Sequence, residues 1–305
     1  MTARLLHPVV FLLGAPLLLG VVVKVKALAA GRKGAPLLQF YFDIWRLLRK
    51  EMVLSRTTTW VFLAGPAAGL ASVVLAGLFI PVGRVEAPLG FTGDFILFAY
   101  LLALGRFFTA AAALDTGSAF EGMGAVREVT FACFTELALF FSLIVLARLS
   151  GSLNLSRMIL AAGSGPIPAA RVALLLVAAS VFLVLLAENC RIPFDDPNTH
   201  LELTMIHEVM VLDHSGPALG AVLYGAALKF FVFSSLVAGL LASALPLGGA
   251  WGWGLYAALL AAVAVLVGVV ESVMARLRLV HVPRLLIGGG LLAAFALLLA
   301  VKDMP

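Results

Sequence analysis

Apolar residues run through most of this chain in long blocks, and polar residues gather between them. A helix needs about 20 consecutive apolar residues to cross a bilayer core. Blocks of that order fall at roughly 8–23, 59–80, 94–114, 126–147, 170–187, 219–244, 252–272 and 284–301. The pattern predicts eight membrane-spanning helices and, the number being even, both ends of the chain on one side. Two stretches break the rhythm. In PLLQFYFDIWRLLRKE, residues 36–51, Gln39, Asp43, Arg46 and Lys50 recur at steps of four, three and four. They draw a narrow polar stripe down an apolar helix, with Pro36 suited to its first turn. Such a helix lies flat at the interface, its stripe toward headgroups or a protein partner. In ENCRIPFDDPNTHLELTMIHEVMVLDHSGP, residues 188–217, Pro193 and Pro197 stop the fifth span. Thr199 with Glu202 matches a capping box, which predicts a second short helix from there to about Leu212, closed by Gly216 and Pro217.

Composition sharpens the class. The chain is 63% hydrophobic and 12% charged, with mean hydropathy +1.11, whereas soluble domains carry about 25% charged residues. The expected fold is an all-α integral membrane protein, one multi-span domain over residues 1–305 with two amphipathic or loop helices. The N-terminal block, MTARLLHPVV, has a basic residue before an apolar run but no A-x-A-like cleavage site after it, and reads as a first span. The net charge of +5 is small and scattered, which argues against nucleic acid as a partner and leaves the lipid bilayer.

Charge sidedness is more informative. Lys24, Lys26, Arg32, Lys33, Arg46, Arg49, Lys50, Arg56, Arg127, Arg191, Arg276, Arg278 and Arg284 share one side, thirteen in all. Arg4, Arg84, Arg148, Arg157, Arg171 and Lys302, six in all, share the other. The positive-inside rule makes the first side cytoplasmic, with the loops at 24–57 and 188–218 there and both termini outside.

The second of these loops holds Glu188, Asp195, Asp196, His200, Glu202, His207, Glu208, Asp213 and His214, nine of the chain's 16 acids and five histidines. The histidines stand seven apart, about 10.5 Å of helical rise, too far for one ion. Cys133 and Cys190 form no CxxC, so spacing indicates no metal site. Asp213, His214 and Ser215 are merely adjacent, and a hydrolytic triad needs convergence in space. The capping box accounts for Glu202, but Glu188, Asp195, Asp196, His207 and Glu208 have no such local reason.

Within the spans stand Arg106, Glu136 and Lys229. Each costs about 2.5–3.5 kcal/mol at a helix centre on insertion scales. Glu128, Glu188 and Glu271 lie near the ends of their spans. Two readings are open: a structural ion pair joining Glu136 to Arg106 or Lys229, or a hydrated proton relay in which a moving cation changes a carboxylate's proton affinity.

The loop at 188–217, together with LDTGSAFEGMGAVREVTFACFTE at 114–136 and GRKGAPLLQFYFDIWRLLRKE at 31–51, resembles the membrane subunit shared by respiratory complex I (subunit 1 type) and membrane-bound nickel–iron hydrogenases. The likeness covers nearly the whole chain. PFDDPN and DHSG are more similar to the formate hydrogenlyase and energy-converting hydrogenase branch than to the PFDLPE and EYSG of the quinone-reducing branch. The resemblance implies a non-catalytic subunit of the cell inner (cytoplasmic) membrane. It would dock the nickel–iron hydrogenase large and small subunits and an iron–sulfur subunit beside antiporter-like membrane subunits. Arg191, Asp195, Asp196, His200, Glu202, His207, Glu208, Asp213 and His214 would form the docking loop, and electron transfer would drive proton or sodium translocation through Glu136, Arg106, Lys229, Glu188, Glu128 and Glu271. No cofactor is expected on this chain; the nickel–iron centre and iron–sulfur clusters would sit on partners. A quinone-site subunit of a complex I-type NADH dehydrogenase and an independent secondary transporter are the alternatives.

Overall fold

The computed structural model of the protein describes residues 2–163, 168–195, 205–245 and 249–302. Among them the regular structure is helical: α1 (Thr2–Ala29), α2 (Gln39–Leu48), α3 (Trp60–Gly77), α4 (Asp94–Asp115), α5 (Ala119–Ser150), α6 (Leu155–Ala161), α7 (Pro168–Glu188), α8 (His207–Met210), α9 (Gly216–Ser243), α10 (Gly249–Val273) and α11 (Val282–Lys302). Eight of these, α1, α3, α4, α5, α7, α9, α10 and α11, are long and apolar enough to cross a membrane. They coincide with the eight blocks read from the sequence. The clearest differences are outward extensions of α1 and α5, where Lys24, Lys26 and Glu121 continue a helix beyond its apolar core.

α9 is the hub. Its spanning window is 83% buried, against 28–50% for the others, and it packs on α1, α3, α7 and α10. Phe230, Phe231 and Phe233 are fully buried there, with Phe231 edge-to-face on Phe11 of α1 at 5.6 Å. Lipid tails are as apolar as these side chains, so the helices are held by close packing rather than by escape from water. The α3–α4 seam shows how: a Cβ on Gly65 would stand 2.6 Å from the Ala112 Cβ and 3.1 Å from the Phe108 carbonyl oxygen. That small-residue contact fixes the helix that carries Arg106.

The connections sort onto two faces, as eight spans require. On one face, Val53 N donates to Ser215 Oγ at 2.9 Å and Thr59 N to Asp115 Oδ2 at 2.6 Å. On the opposite face, Gly93 N donates to the Leu153 carbonyl at 2.9 Å, and Arg84 Nη2 to that of Leu245 at 2.6 Å. Gly216 joins the first set: its φ of +52° is left-handed, and an added Cβ would come 2.6 Å from the Glu51 carbonyl oxygen.

α2 is the expected amphipathic helix, with Gln39 donating to Asp43 at 2.9 Å along its stripe. It lies against α1 and α9 while Phe42 and Trp45 remain exposed. The second short helix departs from expectation. Met205 and Ile206 are not helical, and α8 is a single turn, His207–Met210. Asp195 explains the break by accepting hydrogen bonds from the Ile206 and His207 amides at 2.9 and 3.2 Å, as a cap does at a fresh helix start. Asp196, Thr199, His200 and Glu202, with the capping box they were read to form, lie outside the described residues.

Candidate functional site

Five of the six residues read as a relay converge. Arg106 of α4 reaches three carboxylates: it is hydrogen-bonded to Glu136 of α5, its Nη2 stands 2.7 Å from Glu188 Oε1 at the end of α7, and its Nε stands 3.9 Å from Glu128 Oε1. Lys229 of α9 lies 2.7 Å from the other oxygen of Glu188. Thr135 Oγ1, which spacing gave no reason to single out, also donates to Glu188 Oε1 at 2.7 Å. The pairing read as Glu136 with Arg106 or Lys229 is made to Arg106, and Lys229 serves Glu188 instead.

Burial grades along this chain of contacts. The side chains of Glu188 and Arg106 are 5% and 8% exposed, whereas that of Glu136 is 41% exposed. Glu136 sits midway along α5, so its carboxylate emerges on the lateral surface at bilayer depth. A charge facing hydrocarbon costs several kcal/mol, and intramembrane charges face partners or water.

An open cavity adjoins the cluster. Arg106, Glu128, Glu188, Cys190, His207 and Lys229 line its polar part; Gly65, Pro66, Val73 and Leu102 are among those lining its apolar part. Burial and the adjacent Glu128 and Asp195 carboxylates push the Cys190 thiol well above its usual range. Its Sγ faces Glu128 Oε2 at 3.8 Å. Spacing alone had pointed away from a metal site, yet one donor atom each from Glu128, Cys190 and His207 all lie within 4.8 Å of one another. These residues are 62 and 17 positions apart, so only the fold could bring them together.

Glu271 belongs elsewhere. Its fully buried carboxylate on α10 is clamped between Lys26 of α1 at 2.7 Å and Arg191 at 3.4 Å, and the Arg191 guanidinium lies over Phe230. Lys26 and Arg191 had been read only as contributors to sidedness and to the loop.

The loop residues divide similarly. Asp195 is 1% exposed and paired to Arg276 at 2.9 Å, so its carboxylate is structural rather than part of a polar surface. His214 is buried and stacked on Phe62 with ring centroids 4.0 Å apart, and burial lowers its pKa against the opposing pull of Asp213. Among the described loop residues Asp213 is exposed, and Arg191, His207 and Glu208 are half-buried. Burial of an acid inside a polar loop has no local sequence signature. The signal available for Asp195 was the set of basic residues on other loops.

Comparison with known proteins gives the chain its family and its fold. The family model described as NADH dehydrogenase matches residues 3–302. The chain is 33% identical over 290 residues to formate hydrogenlyase subunit 4 of Escherichia coli, covering 92% of each protein. It is 33% identical over 248 residues to hydrogenase-4 component C of the same organism, covering 81% of this chain and 76% of that one. An NADH-quinone oxidoreductase subunit of Bordetella avium is 27% identical over 228 residues, 72% of this chain and 61% of the relative. Among solved structures, a chain of the membrane-bound sulfane sulfur reductase, an archaeal respiratory membrane complex, superposes with a TM-score of 0.80 at 21% identity, over 97% of this chain and 98% of that chain. The resemblance read from the loop is thereby established, and the chain belongs to the NADH dehydrogenase family of membrane subunits, the complex I subunit 1 type.

Proposed function

We propose that this chain is the membrane-anchoring and coupling subunit of an energy-converting hydrogenase complex. Its side bearing α2, α8 and the 188–218 loop would be cytoplasmic and would receive soluble nickel–iron hydrogenase and iron–sulfur subunits, which carry the redox centres. The observation that carries the coupling role is the graded carboxylate chain: Glu188 beneath the loop, Arg106 shared between carboxylates, and Glu136 emerging laterally. A cation shared among three carboxylates is suited to a relay. Its movement toward one acid raises the proton affinity of those it leaves. Glu136 then opens toward an adjacent antiporter-like membrane subunit, which would shield it from lipid and take the proton or sodium ion onward. The two relatives matched at 33% identity are named as a formate hydrogenlyase subunit and a hydrogenase component, which supports this branch of the family.

A second reading, a quinone-site subunit, is favoured by the cavity, whose apolar part would accept a flat ring beside polar groups. Purification of the chain with its native partners separates the two. Nickel and iron in the complex, hydrogen turnover and no quinone reductase activity support the hydrogenase role; quinone reduction without nickel overturns it.

A further inference from the structure

The donor atoms of Glu128, Cys190 and His207 meet at the edge of the paired charges, where Glu128 is the acid held farthest from Arg106. They come from three separate elements: α5, the turn after α7, and α8. Cys190 is held at φ +49°, the only positive value at a non-glycine position among the described residues. Such a conformation persists when its surroundings over-determine it and recurs at functional sites.

Charge balance supplies a second, independent reason to look here. Arg106 and Lys229 are two cations against the three carboxylates of Glu128, Glu136 and Glu188. One negative charge is in excess. Glu128 is the loosely matched acid, 3.9 Å from Arg106 where Glu188 has 2.7 Å contacts to both cations. It is also the acid that faces the thiol.

We propose that Glu128, Cys190 and His207 form a divalent-cation site of the zinc type, with its fourth position open to the cavity. A carboxylate, a thiolate and an imidazole make a borderline-soft donor set that suits Zn²⁺ and disfavours Mg²⁺ or Ca²⁺. Ligand bonds of about 2.0–2.3 Å set tetrahedral donors roughly 3.3–3.8 Å apart. The observed spread, at most 4.8 Å, closes to that with small side-chain shifts. Binding releases the Cys190 proton to solvent. The thiolate adds one negative charge to the existing excess of one, and the ion's double positive charge cancels both. The ion ties the turn after α7 and α8 to α5, fixing the base of the loop against the spanning helices. This site stands on its own donor geometry and does not depend on the coupling role.

The test uses the full chain in detergent, stripped with a chelator and titrated with Zn²⁺ against a competing chromophoric chelator. We expect about one high-affinity equivalent per chain, and Co²⁺ added in its place should give a thiolate-to-cobalt charge-transfer band. Cys190→Ser should abolish that band, and Cys190→Ser, Glu128→Gln and His207→Ala should each weaken zinc binding by at least about tenfold. Cys133→Ser, at an exposed position outside the donor set, should change neither. The cobalt band of the unsubstituted chain reports thiolate ligation without any variant having to fold. Absence of stoichiometric binding, absence of that band, or equal affinity in Cys190→Ser would each overturn the site.

Discussion

Two groups of ionisable side chains sit within the bundle, and they are built in opposite ways. Around Glu271, two cations enclose a single carboxylate that has no exposure at all, and both its oxygens are engaged. Around Arg106, three carboxylates share two cations, a cavity adjoins them, and one acid emerges at the lateral surface. A fully enclosed acid gripped by cations from two other elements is a fastening. An acid-rich group with a shared cation and an outlet has charge that can be redistributed. The contrast teaches that intramembrane charge is not by itself a mark of transport; the ratio of partners and the access to water or to a neighbour decide.

The comparison breaks most visibly at the fastening. Glu271→Ala leaves Lys26 and Arg191 facing each other without their acid, and we expect about 3–5 kcal/mol of destabilisation. It should be seen as a large loss of folded chain on heating in detergent, whatever carrier or substrate is supplied. A mild effect there would erase the distinction between the two groups.

The next effect lies in the loop. Asp195→Asn keeps an acceptor for the Ile206 and His207 amides but removes the charge facing Arg276. A cost of about 1–3 kcal/mol is expected, read as faster hydrogen exchange at those two amides, with the spans unaffected. The exposed Asp213 provides the contrast: Asp213→Lys should change stability by less than about 0.5 kcal/mol while releasing soluble partner subunits from the membrane. Retention of those subunits would remove Asp213 from the proposed docking surface.

A smaller pH effect is expected at His214. Burial against Phe62 lowers its pKa below the ordinary 6.5, so below that value the unfolded chain binds the extra proton more readily than the folded one. The stability from the neutral ring is complete above about pH 6.5 and falls as pH drops toward the folded-state pKa. Melting temperature followed across that window should show a shallower slope in His214→Phe, which keeps the stacked ring and cannot titrate.

The spans were legible because a bilayer imposes one strong rule, length of apolar run, on every one of them. The charged residues that merit attention were legible for the same reason: Arg106, Glu136 and Lys229 stand out against apolar neighbours. Their partners were not. Lys229 meets Glu188 across 41 positions, and no periodicity within either helix states which helices adjoin. Asp195 was misread as surface because a polar loop looks alike whether its acids point out or in. The convergence of Glu128, Cys190 and His207 was out of reach for the same reason, since a search by spacing finds ligands only on one element.

The proposed relay is tested most directly at Glu136. Glu136→Gln keeps size and hydrogen bonding but cannot exchange a proton. In sealed vesicles carrying the intact complex, ions translocated per electron should fall to near zero while hydrogenase activity with artificial electron carriers persists. Translocation at the unsubstituted ratio would contradict the relay and leave Arg106 and its carboxylates as a second fastening.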